Sequence, residues 1–459
     1  MTREPSRYNL GVNATSCGLR PSEPMVGALR VPASKSLAQR AFVCAALCRD
    51  ETLIGGLSSV EAGDDVRSAR DLIRRAGAAV EASGDGFVRV RGLAPGPQSG
   101  WRARQPLELG ESGTLARLTT AAAGFCAEAG TPVELHARGT LLARGSPALF
   151  AALAEAGVGI ESLGRAHGWP VRLTPIQPPA LLQLRNPGSS QEVSALLIAT
   201  AAWPHSISLV VRGPIPSRPY LEMTIRFLQR FGVYFESCVR GDAEQFVRIG
   251  QLRGLGHPLL IEPDASAAAV LLGAACISRG EVSIEGLTSQ SAQGDTRIGE
   301  HLAAFGCRSG FDARGLFAGG GVTRGANLDL SGEPDLAPVL AAVAACAALR
   351  CGARSQLTGL GTLQGKESAR ITVLASGLSA LGVSVITTHT SLDIGPGHSM
   401  SGPLLLDPLG DHRMAFAFAL LGLLRDGVDV LGPECVAKSW PDFWSDMERA
   451  GARVVRSTS

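Results

Sequence analysis

Arg70–Ala82 reads "RDLIRRAGAAVEA": an amphipathic helical stretch closes on Gly77, and an alternating, strand-like stretch follows at once. Glycine after the last helical turn is the left-handed cap that lets a chain reverse direction into a strand. The same reading recurs along the chain in "AALAEAGVGIES", "RFLQRFGVYFES", "EHLAAFGCRSG", "SGLSALGVSVIT" and "DMERAGARVVRS". The capping glycines are Gly77, Gly157, Gly232, Gly306, Gly382 and Gly451, spaced 69 to 80 residues apart. A unit of about 75 residues is too long for a solenoid repeat and too short to bury a good core alone. The pattern therefore predicts an α/β protein of six duplicated units, three in each of two domains, with helices packed inward and sheets outward. A cleft between two such domains is where small ligands bind and where closure expels water.

Composition agrees with a packed α/β chain: 45% of the 459 residues are hydrophobic, 18% are charged and 56 are glycine. A formal net charge of +2 with no block of like charge argues against extended nucleic-acid or membrane-surface binding. The N-terminus lacks an apolar leader. The longest apolar runs, such as Leu336–Leu349, read as too short to span a bilayer, so a cytoplasmic protein is expected. Ten scattered cysteines form no C-x-x-C pair and have no histidine at zinc spacing, which predicts neither a metal site nor disulfides; Cys44 and Cys48 read as buried thiols on one helical face. Residues 1–30 read as a loosely held arm.

Of 43 basic residues only three are lysines, Lys35, Lys366 and Lys438, and each has a serine within two positions. A chain drifting toward arginine keeps lysine where a compact, three-donor ammonium is needed. Lys35 lies in "VPASKSLAQR", where Ser34 or Ser36 caps a helix beginning near Leu37; the backbone N–H groups, Lys35 and Arg40 then face one anion-binding helix start. Gly110, Gly113 and Thr114 open a second such helix, which carries Arg117, and Ser189 and Ser190 open a third. "SRPYLEMT" adds Ser217 and Tyr220. The second half supplies Asp335, Lys366, Glu367, Arg370, Asp411, His412, Arg413 and Lys438 beside glycines at loop-to-helix junctions. Lys35, Arg144, Arg370, Arg413 and Lys438 together suit a doubly anionic substrate, with Asp335 and Glu367 left for proton transfer.

On "PASKSLAQR", "GESGTLAR", "ARGSP", "GSSQ", "SRPYLEMT", "PDASAA", "QGDTR", "PDLAP", "GKESAR", "GDHRMA" and "AKSWPDF", the chain resembles the enolpyruvyl transferase family, and within it the branch acting on shikimate 3-phosphate. The resemblance runs from about Val31 to Phe443. It implies a two-domain inside-out α/β barrel, with residues 34–261 in the domain that binds shikimate 3-phosphate and residues 1–33 and 262–459 in the other. It further implies that Lys35, Gly113, Arg144, Arg370, Arg413 and Lys438 bind phosphoenolpyruvate. Ser36, Arg40, Ser189, Ser190, Gln191, Ser217, Tyr220, Asp335 and Lys366 would bind shikimate 3-phosphate, and Asp335, Glu367 and Lys35 would be catalytic. No metal or cofactor is implied, and a monomer is expected. Cys126, in an apolar helix, does not match the exposed reactive cysteine of the sister enzymes that act on a UDP-amino sugar.

The chain departs from the family at Ala33, Glu111, Thr362 and Ala369, which stand where glycine, asparagine, asparagine and aspartate are usual. Glu111 puts a negative charge near an anion site and is expected to cost affinity unless an arginine such as Arg117 pairs with it or its carboxylate is protonated, and Ala369 is expected to free Arg370 from a partner. Glyphosate inhibition is expected because Gly113 leaves the phosphoenolpyruvate side open, although Leu118 replaces a proline many relatives carry. Rival readings are a transferase for another phosphorylated cyclic alcohol and a silent binding protein.

Overall fold

The computed structural model describes residues 15–57, 63–83, 86–96, 99–398 and 400–458. Twelve α-helices occur among them, two per unit. The first helix of each pair is α1 (Lys35–Ala46), α3 (Gly113–Cys126), α5 (Ser190–Ala201), α7 (Ala265–Ser278), α9 (Ala337–Cys351) and α11 (His412–Leu421). The second is α2 (Asp64–Arg75), α4 (Pro147–Ala156), α6 (Arg218–Arg230), α8 (Ile298–Ala304), α10 (Arg370–Leu381) and α12 (Phe443–Arg449). All six predicted glycines follow the second helix of a unit with φ between +76° and +105°. A side chain there would be strained, so each helix stops where its glycine stands.

The first helices are apolar on nearly every face and almost fully buried, as expected of helices at the centre of a bundle. Alanine and glycine let them approach closely: a Cβ on Gly273 of α7 would lie 2.8 Å from Val339 Cγ1 of α9. The second helices bury one stripe. Outside them lie six four-stranded sheets, one face packed inward and the other wet, as the alternating burial of Ala243–Ile249 shows. Each sheet combines one parallel pair with antiparallel neighbours; in the sheet of Leu181–Arg185, α5 bridges the parallel pair and Tyr234–Arg240 and Ala243–Ile249 form an antiparallel hairpin.

Buried apolar side chains form two clusters. One runs from Leu37 to Ile261; the other contains Leu19, Met25 and residues from Ala265 to Ala452. The chain crosses between them twice, and the crossings touch: Ala33 bridges Pro263, Ser34 N–H donates to Glu262 O at 2.8 Å and Asp264 N–H to Pro32 O at 2.8 Å.

Two expectations are corrected. Residues 1–14 lie outside the described residues, but Thr15–Arg20 is no loose arm: it is an inner strand between Val428–Leu431 and Arg453–Thr458. Val26–Leu29 likewise pairs with Glu281–Ile284. The apolar run at 336–349 belongs to a longer helical stretch, Pro334–Cys351, whose 18 residues and mean hydropathy of 1.5 suffice by length and composition to cross a membrane. That stretch is 78% buried inside the protein, where α9 packs against α7 and α11.

Candidate active site

The first-helix N-termini of several units point at one cleft between the two clusters. Ser112 caps α3, accepting from Leu115 N–H at 3.2 Å, and Ser189 caps α5, accepting from Gln191 N–H at 3.2 Å. Asp411 caps α11 through Arg413 N–H at 3.0 Å. Ser34 sits at the cap position of α1, but its buried hydroxyl makes no capping bond; Ser36 lies inside the helix. Ser217 precedes α6 with φ +50° and no side-chain cap.

A cavity of about 240 Å³ results, and Lys35, Ser36, Arg40, Gly113, Arg144, Ser189, Ser190, Gln191, Ser217, Tyr220, Asp335, Lys366, Glu367, Arg370 and Arg413 all line it. Lys438 stands behind this wall, 3.3 Å from Glu367. The described lining carries seven lysine or arginine side chains against four carboxylates, an excess of cation suited to phosphate and carboxylate ligands.

Five of the seven lining cations have a carboxylate partner, whereas Arg40 donates to Thr224 Oγ1 and Ser36 O, each at 2.8 Å, and Arg117 to neutral acceptors. Lys35 Nζ lies 3.1 Å from Asp65. Arg370, 1% exposed in its side chain, holds three carboxylates: Asp335 at 2.9 Å, Glu367 at 2.7 Å and Asp411 at 2.8 Å. Asp335 also meets Lys366 at 3.4 Å and Arg413 at 3.1 Å. Burial opposes the charge of Asp335, but Arg413, Lys366 and Arg370 outweigh it and hold the carboxyl far below the usual range. Glu367 is likewise held low against burial by Arg370, Lys438 and Arg144. Burial alone pulls Arg40 down to about 10; it also pulls Arg117 down to about 10, against the nearby charge of Glu192.

Contacts that bridge the cleft among the described residues include Arg144 to Glu367 at 3.6 Å, Lys438 to Glu111 at 3.8 Å, and Tyr220 Oη donating to Asp295 at 2.6 Å. Two readings are corrected here. Arg117 does not pair with Glu111; it donates to Gln191 Oε1 at 3.0 Å, Ser146 Oγ at 3.1 Å and Gly145 O at 3.1 Å. Glu111 instead accepts from Thr140 Oγ1 at 3.2 Å and reaches Lys438. Nor does Ala369 free Arg370, whose guanidinium is occupied by three carboxylates. Sequence reasoning also passed over Asp65, whose "GDD" context reads as an ordinary acidic first turn, and Glu192, which is buried and accepts from Gly188 N–H at 2.8 Å.

A model of one family, EPSP synthase (3-phosphoshikimate 1-carboxyvinyltransferase), matches residues 19–447. The chain belongs to the EPSP synthase family. Curated relatives named 3-phosphoshikimate 1-carboxyvinyltransferase include one from Methanoculleus marisnigri, 33% identical over 93% of this chain and 97% of that one. Another, from Idiomarina loihiensis, is 30% identical over 95% and 98%. Among solved structures, the EPSP synthase of Acinetobacter baumannii superposes with a TM-score of 0.73 at 24% identity, over 97% of this chain and 100% of that one. The enolpyruvyl transferase NikO from Streptomyces tendae superposes with a TM-score of 0.70 at 17% identity, over 97% and 100%. These two likenesses establish the fold, the two-domain inside-out α/β barrel of EPSP synthases.

Proposed function

We propose that the protein transfers the enolpyruvyl group of phosphoenolpyruvate to the 5-hydroxyl of shikimate 3-phosphate and releases phosphate. The observation that carries this reading is the closed cleft in which Arg144, Arg370, Arg413, Lys35 and Lys438 converge on Asp335 and Glu367. Family membership supplies the substrate pair.

In the proposed reaction the 5-oxygen attacks the enol carbon while the methylene carbon takes up a proton, giving a tetrahedral intermediate. The bond to the phosphate oxygen then breaks, the methyl group returns a proton, and the double bond re-forms. Neither step requires a metal or an organic cofactor. Asp335, beside Lys366 at 3.4 Å, is placed to take the hydroxyl proton, and Glu367, beside Lys438 and Arg144, to exchange protons with the methylene carbon. Lys35 offsets charge on the departing phosphate. Ser36, Arg40, Ser189, Ser190, Gln191, Ser217 and Tyr220 are assigned to shikimate 3-phosphate.

The counter-ions explain how weak bases become useful. Without substrate, Arg370, Arg413 and Lys438 hold Asp335 and Glu367 ionised and weakly basic. Substrate carboxylate and phosphate draw those cations toward themselves, and both carboxylates regain basicity when the reacting groups are in place. Closure excludes water and strengthens these contacts. Both walls come from one chain, so a monomer suffices. The test is phosphate release with both substrates: it should occur in the wild type and be abolished in Lys35→Met and Asp335→Ala. Absence of release in the wild type overturns the reading.

A further inference from the structure

Asp295 has no part in the chemistry above, yet it sits where the two walls meet. It lies in the short turn Gly294–Arg297, only 3% exposed, and both its carboxylate oxygens are engaged. Oδ1 accepts from Tyr220 Oη at 2.6 Å, and Tyr220 belongs to the opposite wall. Oδ2 accepts from the hydroxyl of Ser266, in the first turn of α7. The same Ser266 Oγ accepts from Arg413 Nη2 at 3.3 Å, and Arg413 Nη2 lies 3.1 Å from Asp335. A continuous polar chain thus runs Tyr220, Asp295, Ser266, Arg413, Asp335, from the wall assigned to the phosphorylated alcohol to that assigned to phosphoenolpyruvate.

We propose that Asp295 is a positioning residue that couples the two substrate sites: alcohol seated against Tyr220 fixes Asp295 and Ser266, which fix Arg413 for the second substrate. This rests on the function proposed above. The route has the right mechanical place, since Ser266 follows directly on the crossing segment at Pro263, where the two halves of the chain touch. A purely structural carboxylate would be poorly chosen here. Burial, with Asp335 adding repulsion against the pull of Arg413, pushes Asp295 up to about 6. Its ionised form at neutral pH therefore opposes stability, as is common for groups retained for function. Coupling of this kind is a free energy shared by both ligands and must act equally in either direction.

The experiment is calorimetric titration with shikimate 3-phosphate and 2-phospholactate, a saturated analogue of phosphoenolpyruvate that has no double bond to transfer. Each ligand is titrated alone and in the presence of the other. In the wild type each should tighten the other by the same factor. In Asp295→Asn that factor should fall at least threefold while the affinity of each ligand alone changes less than threefold. Ser266→Ala, which breaks the next link without touching charge, should lower it too and guards against a misfolded first variant. An unchanged factor in both variants, or no mutual effect in the wild type, overturns the proposal. Wild-type phosphate release, measured on the same preparation, separates this from failure of the functional reading: turnover with no coupling loss sinks the role of Asp295 alone, and no turnover sinks both.

Discussion

Glu111 stands beside Lys438, and replacing its charge has a computable consequence. Its carboxylate lies 3.8 Å from Lys438 Nζ, an ammonium also held by Glu367 at 3.3 Å. In the proposed reaction phosphoenolpyruvate draws Lys438 away from both. A unit charge pair at 3.8 Å is worth about 4 kcal/mol at an effective dielectric constant of ~20 and about 1 kcal/mol in bulk water. The Glu111 side chain is 35% exposed while that of Lys438 is 7% exposed, which places the pair toward the wetter limit. Removing the competition by Glu111→Gln should therefore return about 1.4 kcal/mol to substrate binding, a tenfold lower KM for phosphoenolpyruvate. The amide retains an acceptor for Thr140, so the loop keeps its hydrogen bond. Initial rates of phosphate release at saturating shikimate 3-phosphate measure the effect; the KM for shikimate 3-phosphate should move little. A KM for phosphoenolpyruvate that rises would show that Glu111 holds Lys438 in its working position, and would refute the argument from competition.

Other consequences follow from the same geometry. A Cβ on Gly113 would lie 2.9 Å from Arg117 Nη1 and 3.1 Å from Arg144 Nη1, so Gly113→Ala should raise the KM for phosphoenolpyruvate about tenfold, leave kcat within about threefold, and weaken glyphosate inhibition measured in the same assay. Arg370→Gln leaves Asp335, Glu367 and Asp411 without their shared counter-ion, and denaturant titration should record a loss of about 3–5 kcal/mol. Burial, reinforced by Lys35, holds the His412 imidazole well below its ordinary value of 6.5. The unfolded chain therefore binds a proton near pH 6.5 that the folded chain refuses, and this contribution to stability is present above that pH and lost as pH falls below it. His412→Gln should flatten the slope of Tm against pH between about 5 and 6.5; an unchanged slope would show that other groups titrate there.

The helix, glycine and strand repeat was legible because it is local: a capping glycine and an amphipathic stripe are written within a dozen residues. The strand exchange was not. Thr15–Arg20 finds its partners at Val430–Leu431 and Arg453–Thr458, and nothing within six residues signals a pairing more than 400 positions away. The cations of the site were legible from the scarcity of lysine and from their helix-start setting. The counter-ion of Lys35 was not, because Asp65 reads as an ordinary acidic residue in the first turn of a helix. Which carboxylate meets which cation depends on the closing of two halves, and Arg117 reaches Gln191 and Ser146 rather than Glu111. Asp295 shows the same limit: "QGDTR" is one motif of the resemblance, but only the fold brings Tyr220 to it.

The central claim is that this cleft runs an addition followed by an elimination, with the methylene carbon passing through a methyl group. Reaction in deuterated water, followed by proton NMR of the enolpyruvyl product, tests that directly. The account predicts deuterium in the product methylene, appearing only when shikimate 3-phosphate and phosphoenolpyruvate are both present, together with one phosphate per product. Product formed without deuterium, or deuterium entering phosphoenolpyruvate without the alcohol, would contradict it.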